Sequence, residues 1–328
     1  MTDQYGNGVT GLVEQDLTWA FQQVVDPADP GTWLPTSQVK VVPGSFSIGA
    51  AGFYSVGLYS TVAGEYAVTV SLRGIVSAPA RVAFTPVEPF DANVSFAITP
   101  DRQTVGASVE AALSVRDRFD NPVTGLLASD IQLGLDGLTV LSGPVEQSPG
   151  RYVYALTTTD ARTHTVTAAV GSVSKSDTVT FTSGAVSADK SAVSAAPATQ
   201  TAGQNVAVTV TVKDIHDNPV LGLGAADFQI KGLSLSDDVP DVVGGGFFNY
   251  GDGRYGFSLT SRLVGQFEIE ALVSGVTLSD HPKVAFTAGG VCVTNCDTQV
   301  PGNVTRVEML VNDQLSDGSS EDTARVWA

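Results

Sequence analysis

Two carboxylates and an amide fall within five residues at Asp117, Asp120 and Asn121, and the arrangement returns at Asp214, Asp217 and Asn218. Clustered hard oxygen donors of this kind are the raw material of a calcium site. The same residue types have a second use, because Asp and Asn at turns accept hydrogen bonds from their own backbone. A third copy of the segment, Asp3-Gln4-Tyr5-Gly6-Asn7, keeps the outer Asp and Asn but has Gly6 where the others have Asp120 and Asp217. A ligand set that is not kept in every copy argues against a metal. The expectation is therefore a backbone-capping turn and no cofactor, with calcium at the six acidic and amide residues as the alternative.

Other chemistry finds less support. Gly6-Asn7-Gly8-Val9-Thr10-Gly11 matches the spacing of a dinucleotide-binding loop, but that loop needs a parallel strand before it and a helix after it. Here Pro122 and Pro219 stand in the sibling turns where this one has Gly8, and no helical periodicity follows. Asp313-Gln314-Leu315-Ser316-Asp317-Gly318 begins like an EF-hand loop, yet Leu315 breaks the ligand pattern and Ala324 stands where a closing Glu is needed. His164, His216 and His281 are scattered over a strand, a turn and a loop, and neither a Gly-x-Ser-x-Gly elbow nor a His-Glu-x-x-His helix is present. No catalytic residue is expected.

The two cysteines, Cys292 and Cys296, cannot complete a structural zinc site and lack the redox Cys-x-x-Cys spacing. In an exported protein they would close a small disulfide loop. Asp237, Asp238 and Asp241 read as a solvated acidic loop. The sequons at Asn93 and Asn303 matter only in a glycosylating host. Trp19, Phe21 and Trp33 lie in extra length peculiar to the first part of the chain. They form either a binding patch for a receptor or glycan, or the core of a longer loop.

Composition says what holds these residues. The chain has 328 residues, a mean hydropathy of +0.14, 34 Gly and 16 Pro, and only 16% charged residues. Val and Thr suit a pleated, half-buried surface and Gly and Pro punctuate turns, so the chain reads as all-β. Asp and Glu outnumber Lys and Arg by 34 to 17, for a net charge of −17. That field repels phosphate backbones and anionic lipid, which argues against nucleic acid or membrane-surface partners. No apolar run is long enough to span a bilayer, and Met1-Thr2-Asp3-Gln4-Tyr5 does not read as a signal peptide.

The acidic turns mark a repeat. Val109, Ala111, Leu113 and Val115 alternate with polar or small residues before the second turn, and Val206, Val208, Val210 and Val212 do the same before the third. Strict period-two alternation predicts a strand with one buried face. After each turn come a Gly-x-Tyr segment (Gly150-Arg151-Tyr152, Gly253-Arg254-Tyr255, and Gly52-Phe53-Tyr54 in the first copy) and a further strand. The unit closes on Val82-Ala83-Phe84-Thr85, Val179-Thr180-Phe181-Thr182 or Val284-Ala285-Phe286-Thr287. About seven short strands in roughly 100 residues is the profile of a Greek-key sandwich.

The ordered set Val-x-Asp-x-x-x-Asn-Pro-Val, Gly-x-Tyr-x-x-x-Leu-Thr, Gly-x-Phe-x-Ile-x-Ala and Val-x-Phe-Thr resembles the bacterial Ig-like repeats of invasin and intimin. Filamin-type repeats are similar in the Asp-Gly-x-Tyr segment and are the nearest competitor. The resemblance implies tandem Ig-like β-sandwiches: 1–88 without its first strands, 89–186, 187–290, and 291–328 as a linker and the start of a further repeat. A segment cut from a longer array is the favoured reading of the two ends, the other being that the terminal strands complete the first unit, within one chain or between chains. The implied function is a non-catalytic stalk or spacer in an extracellular protein on a bacterial cell surface, with a part in adhesion. Its first partners are neighbouring repeats of the same chain. The alternatives are a carbohydrate- or receptor-binding module and an accessory region of a secreted enzyme.

Overall fold

The computed structural model describes residues 1–26, 28–50, 52–234, 243–289, 306–309 and 324–327. The Cys292 and Cys296 pair, the Asp237, Asp238 and Asp241 loop, Asn303 and the Asp313–Gly318 segment lie outside the described residues. The chain divides into two units. One comprises Met1–Gln103, Ser108–Thr157 and Thr163–Val179, and the other Thr104–Ala107, Thr158–Arg162 and the chain from Thr180 onward. No helix among the described residues is long and apolar enough to cross a membrane.

Alternating valines make the strands of the third repeat. Val206, Val208 and Val210 are buried on one face of Asn205–Thr211, and Val212 continues the run just beyond it. Slipping the register by one residue would turn all four outward, at a cost of roughly 6 kcal/mol from about 1.5 kcal/mol per exposed valine. The strand pairs antiparallel with Ala192–Ala196 on one side and Arg254–Thr260 on the other, and Val243–Asn249 completes that sheet. The facing sheet runs Thr199–Thr201, Lys283–Thr287, Gly265–Val273, Phe228–Ser234, and its first pair is parallel. Phe228, Tyr255, Phe267, Ile269 and Phe286 fill the space between the sheets.

The second repeat has the same plan. One sheet runs Ser95–Thr99, Ser108–Ser114, Arg151–Thr157, Thr139–Ser148, and the other runs Arg102–Thr104, Val173–Thr182, Thr163–Val170, Ile131–Gly134. Leading strands that switch from one sheet to the other, and a central strand pairing with one distant in sequence, are the Greek-key connectivity of an Ig-like β-sandwich. The all-β fold expected from composition is the fold observed.

In the first repeat, Leu17–Gln23 pairs with Gly64–Leu72, which also pairs with Ala80–Phe84. The segment after Gly52 forms only the two-residue strands Tyr54–Ser55 and Leu58–Tyr59. Its counterparts Arg151–Thr157 and Arg254–Thr260 lie beside the seven-residue ladders Ser108–Ser114 and Asn205–Thr211. Among the described residues the first-repeat segment pairs only with Lys40–Val41 and Ser47–Ile48, so few hydrogen bonds propagate its ladder.

Candidate functional site

Each Asp-x-x-x-Asn segment closes on itself through the leading carboxylate. Asp117 Oδ1 accepts the Phe119 and Asn121 amides at 2.8 and 2.9 Å, and the Asn121 side chain donates to Asp117 Oδ2 at 2.9 Å. Asp214 receives the His216 and Asn218 amides at 2.8 and 3.0 Å and the Asn218 side chain at 2.9 Å. Asp3 receives Tyr5, Asn7 and the Asn7 side chain at 2.8, 2.9 and 2.9 Å. The backbone follows one path, with φ of +84° at Gly6, +67° at Asp120 and +68° at Asp217. A left-handed residue is wanted there, which Gly meets freely and Asp meets more readily than most side chains. The middle Asp is therefore explained by backbone geometry. It points to cations instead of the cluster: Asp120 lies 3.5 Å from Arg116, and Asp217 lies 2.7 Å from Lys190 and 3.6 Å from Lys213.

A second layer fixes the turn to its own repeat. The Tyr of the Gly-x-Tyr segment donates its hydroxyl to the carbonyl two residues after the Asn: Tyr152 to Val123 at 2.8 Å, Tyr255 to Val220 at 2.8 Å and Tyr54 to Val9 at 3.0 Å. Each hydroxyl also accepts an amide, from Leu126, Leu223 or Leu12. The Gly before it seats against the turn. A Cβ on Gly150 would come within 2.7 Å of the Val115 carbonyl, and one on Gly253 within 2.7 Å of Pro219.

The third layer leaves the repeat. Asn121 Oδ1 accepts the Ala63 amide at 2.8 Å, and its Nδ2 donates to the Thr61 carbonyl at 3.0 Å, all within the first unit. Asn218 repeats this within the second unit, accepting from Ala161 at 3.0 Å and donating to Thr159 at 2.9 Å. In both cases an Asn amide pairs with the carbonyl of one loop residue and the N–H two residues on, as a strand neighbour would. The loop is shaped for this by a hydroxyl: Ser60 accepts the Val62 amide at 3.0 Å and Thr158 the Asp160 amide at 3.1 Å. The leading Asp holds the segment after the closing strand, with Asp117 Oδ2 accepting Val87 at 3.1 Å and Asp214 Oδ2 accepting Gly184 at 2.8 Å. The second and third turns are thus clasps between one repeat and the end of the repeat before it.

Burial pushes the Asp117 and Asp214 carboxyls up, but the donors on them, led by the Asn121 and Asn218 side chains, outweigh it. Both pKa values sit below the ordinary carboxylate value. Each Asp117 oxygen already accepts two N–H groups. A calcium ion would have to displace donors that fill both lone pairs. Among the described residues no group of three or more His, Cys, Asp and Glu is placed to hold a metal ion.

The aromatic candidates separate. Trp19 and Phe21 are half-buried on the face of Leu17–Gln23 that carries buried Leu17, and they alternate with exposed Thr18 and Ala20. Trp33 lies in the following loop, where its ring N–H donates to the Asp26 carbonyl at 3.0 Å and the Arg81 guanidinium sits 5.2 Å above the ring. Residue types and spacing gave the turn but not the clasp. The available signal was the hydroxyl at Ser60, Thr158 and Ser261, the same distance ahead of the strand in two copies and one residue further in the other.

The paired sheets and their joints define an array of Ig-like repeats. No protein-family model and no curated protein sequence matches the chain. Among solved structures, the Escherichia coli adhesin FdeC superposes with a TM-score of 0.56 at 22% identity, over 87% of this chain and 90% of its own. Invasin, a bacterial integrin-binding protein, gives 0.55 at 17% identity over 85% of this chain and 62% of its own. Yersinia pseudotuberculosis InvD gives 0.50 at 20% identity, over 70% and 66%. At these identities the likeness is one of fold, that of bacterial Ig-like repeat domains of the invasin type.

Proposed function

We propose that this chain is a non-catalytic segment of a bacterial cell-surface protein, working as a spacer in an adhesin-type array. The observation that carries the reading is the clasp. In the second and third repeats the buried Asp–Asn cluster bonds to the backbone of the repeat before it, which is what a structure that transmits position requires. The fold shared with FdeC and invasin supports the same reading. The net charge of −17 would keep such a segment soluble and off anionic surfaces.

The test is a display experiment. Placed between an outer-membrane anchor and a terminal epitope, the full chain should raise antibody labelling of the epitope on cells with a thick polysaccharide coat. Equal labelling with and without the chain refutes the spacer. In the receptor- or glycan-binding alternative, the first repeat would supply the contact through Phe53, 74% exposed, or the half-buried Trp33. Saturable binding of the labelled full chain to host cells or a glycan array, lost on Phe53→Ala or Trp33→Ala, would favour that alternative.

A further inference from the structure

One outer sheet face of the third repeat is cleared of the side chains that cover the same face in the second. There, Arg151 reaches across the sheet to Glu110 at 2.6 Å and also bonds Gln147. Register places Ala207 of the third repeat where the second has Glu110, and Gly256 where it has Val153. Phe248 and Tyr250 likewise replace Val145 and Gln147. Arg254, with no acid across the sheet, turns back to Asp252 at 2.9 Å and lies 5.2 Å above the Tyr250 ring.

These exchanges build an aromatic corner. The Phe248 and Tyr250 rings have centroids 4.7 Å apart and planes at 70°, and they are 58% and 49% exposed. Tyr250 rests on Gly256, where a Cβ would meet the Tyr250 hydroxyl oxygen at 3.1 Å and its ring at 3.2 Å. The turn that carries the ring is already fixed, because the Tyr250 amide donates to the Arg254 carbonyl at 3.1 Å and Asn249 accepts the Gly251 amide at 2.8 Å. Little freedom is left to lose on binding. Thr209 lies opposite Gly256 in the ladder, with Ser194 beyond it, and Thr211 lies opposite Arg254. The Tyr250, Thr209 and Thr211 hydroxyls have no partner among the described residues.

Charge selects the ligand. The strands Ala192–Ala196, Asn205–Thr211, Val243–Asn249 and Arg254–Thr260 hold one charged residue, Arg254, and Asp252 neutralises it. In a chain of net charge −17, an uncharged face with free hydroxyls suits a neutral polyol and repels an acidic one. The negative faces of the rings attract the weakly positive C–H groups on the apolar side of a sugar. A protein partner would need a wider apolar core than two rings.

We propose that this sheet face, ending at Phe248 and Tyr250, binds a neutral saccharide. One sugar ring would stack in the aromatic corner, and hydroxyls of the saccharide would bond to Thr209, Thr211 and the Tyr250 hydroxyl. The site is separate from the aromatic residues of the first repeat and does not rest on the spacer function.

The experiment is affinity electrophoresis of the full chain through gels that hold a soluble polysaccharide. Desialylated mucin supplies host sugars, dextran and mannan supply neutral microbial ones, and polysialic acid is the charged control. The expected result is retardation in at least one neutral gel and none with polysialic acid. Tyr250→Ala and Phe248→Ala, both at exposed positions, should each bind about tenfold more weakly with unchanged circular dichroism. Gly256→Val should weaken binding similarly by displacing the Tyr250 ring, whereas Glu110→Ala in the second repeat should change nothing. Retardation in either neutral arm supports the site and names the source of the sugar. Unaltered migration in every gel overturns the proposal, as does retardation that survives both ring substitutions or occurs only with polysialic acid. Binding lost on Phe53→Ala and kept by Tyr250→Ala would move the sugar to the first repeat and overturn it too. A failed display experiment with intact, Tyr250-dependent retardation would sink the spacer and leave this site standing.

Discussion

Asn121→Ala isolates the contribution of the clasp. The substitution deletes two hydrogen bonds to the loop, from Ala63 at 2.8 Å and to Thr61 at 3.0 Å, and one within the turn to Asp117 at 2.9 Å. Loop bonds of ordinary neutral type are each worth about 1 kcal/mol net, so docking of the Thr61–Ala63 segment should weaken by about 2 kcal/mol. That corresponds to about 30-fold more frequent opening of the loop. Amide hydrogen exchange at Ala63 reads it directly, because that N–H is bonded to the deleted side chain. The molecule supplies its own control. Asn7→Ala removes the equivalent bond within a turn, to Asp3 at 2.9 Å, while no loop partner is present among the described residues. In this variant Ala63 should exchange as it does in the unaltered chain. If Ala63 exchange in Asn121→Ala stays within about twofold of the unaltered chain, the two bonds carry no coupling and the clasp is only a local cap.

Other perturbations test the remaining layers. Gly253→Ala places a Cβ 2.7 Å from Pro219 at φ +85° and should cost about 2–4 kcal/mol by denaturant unfolding. Gly222→Ala, at φ +78° with open space around it, should cost about 1 kcal/mol, and equal losses would remove the packing argument. Tyr154→Phe should leave stability unchanged or raise it by about 1 kcal/mol, since the buried Tyr154 hydroxyl has no partner among the described residues and Phe257 fills the matching place in the third repeat. A loss in thermal unfolding would show a hidden partner. Because the folded pKa values of Asp117 and Asp214 lie below the unfolded one, the unfolded chain protonates first as pH falls. Their stabilisation should be complete near neutrality, begin to fade at about pH 5 and be gone below the folded pKa. An acid limb equally steep in the Asp117→Asn, Asp214→Asn double variant would refute this. Adding calcium in place of a chelator should leave the melting temperature unchanged, and a clear rise would show that the ion displaces the amide donors after all.

Much of the fold was legible because one physical pattern wrote it repeatedly. The valines at 206, 208, 210 and 212 announce a half-buried strand, and the Gly and Tyr of Gly253-Arg254-Tyr255 sit where the backbone must approach the turn closely. The clasp was harder to read. The groups that receive Asn121 and Asn218 are a carbonyl and an amide, which every residue possesses, so Thr61 and Ala63 carry no signature in their side chains. The broken strand after Gly52 was equally hidden, since a strand's length depends on the ladder beside it as well as on its own residues. The apparent defect at Gly6 became intelligible only with the dihedral angle in view. A Gly there and an Asp at 120 solve the same backbone problem.

Recognition through backbone alone has a consequence for how such a chain can be built. The receiving loop presents Thr61 and Ala63 in one place and Thr159 and Ala161 in another, while the incoming group is an Asn amide each time. Neither partner needs to know which copy the other came from. Joints of this kind behave as a common thread on interchangeable fittings. A repeat could be duplicated, deleted or moved, and its new neighbours would still engage without a compensating change on either side.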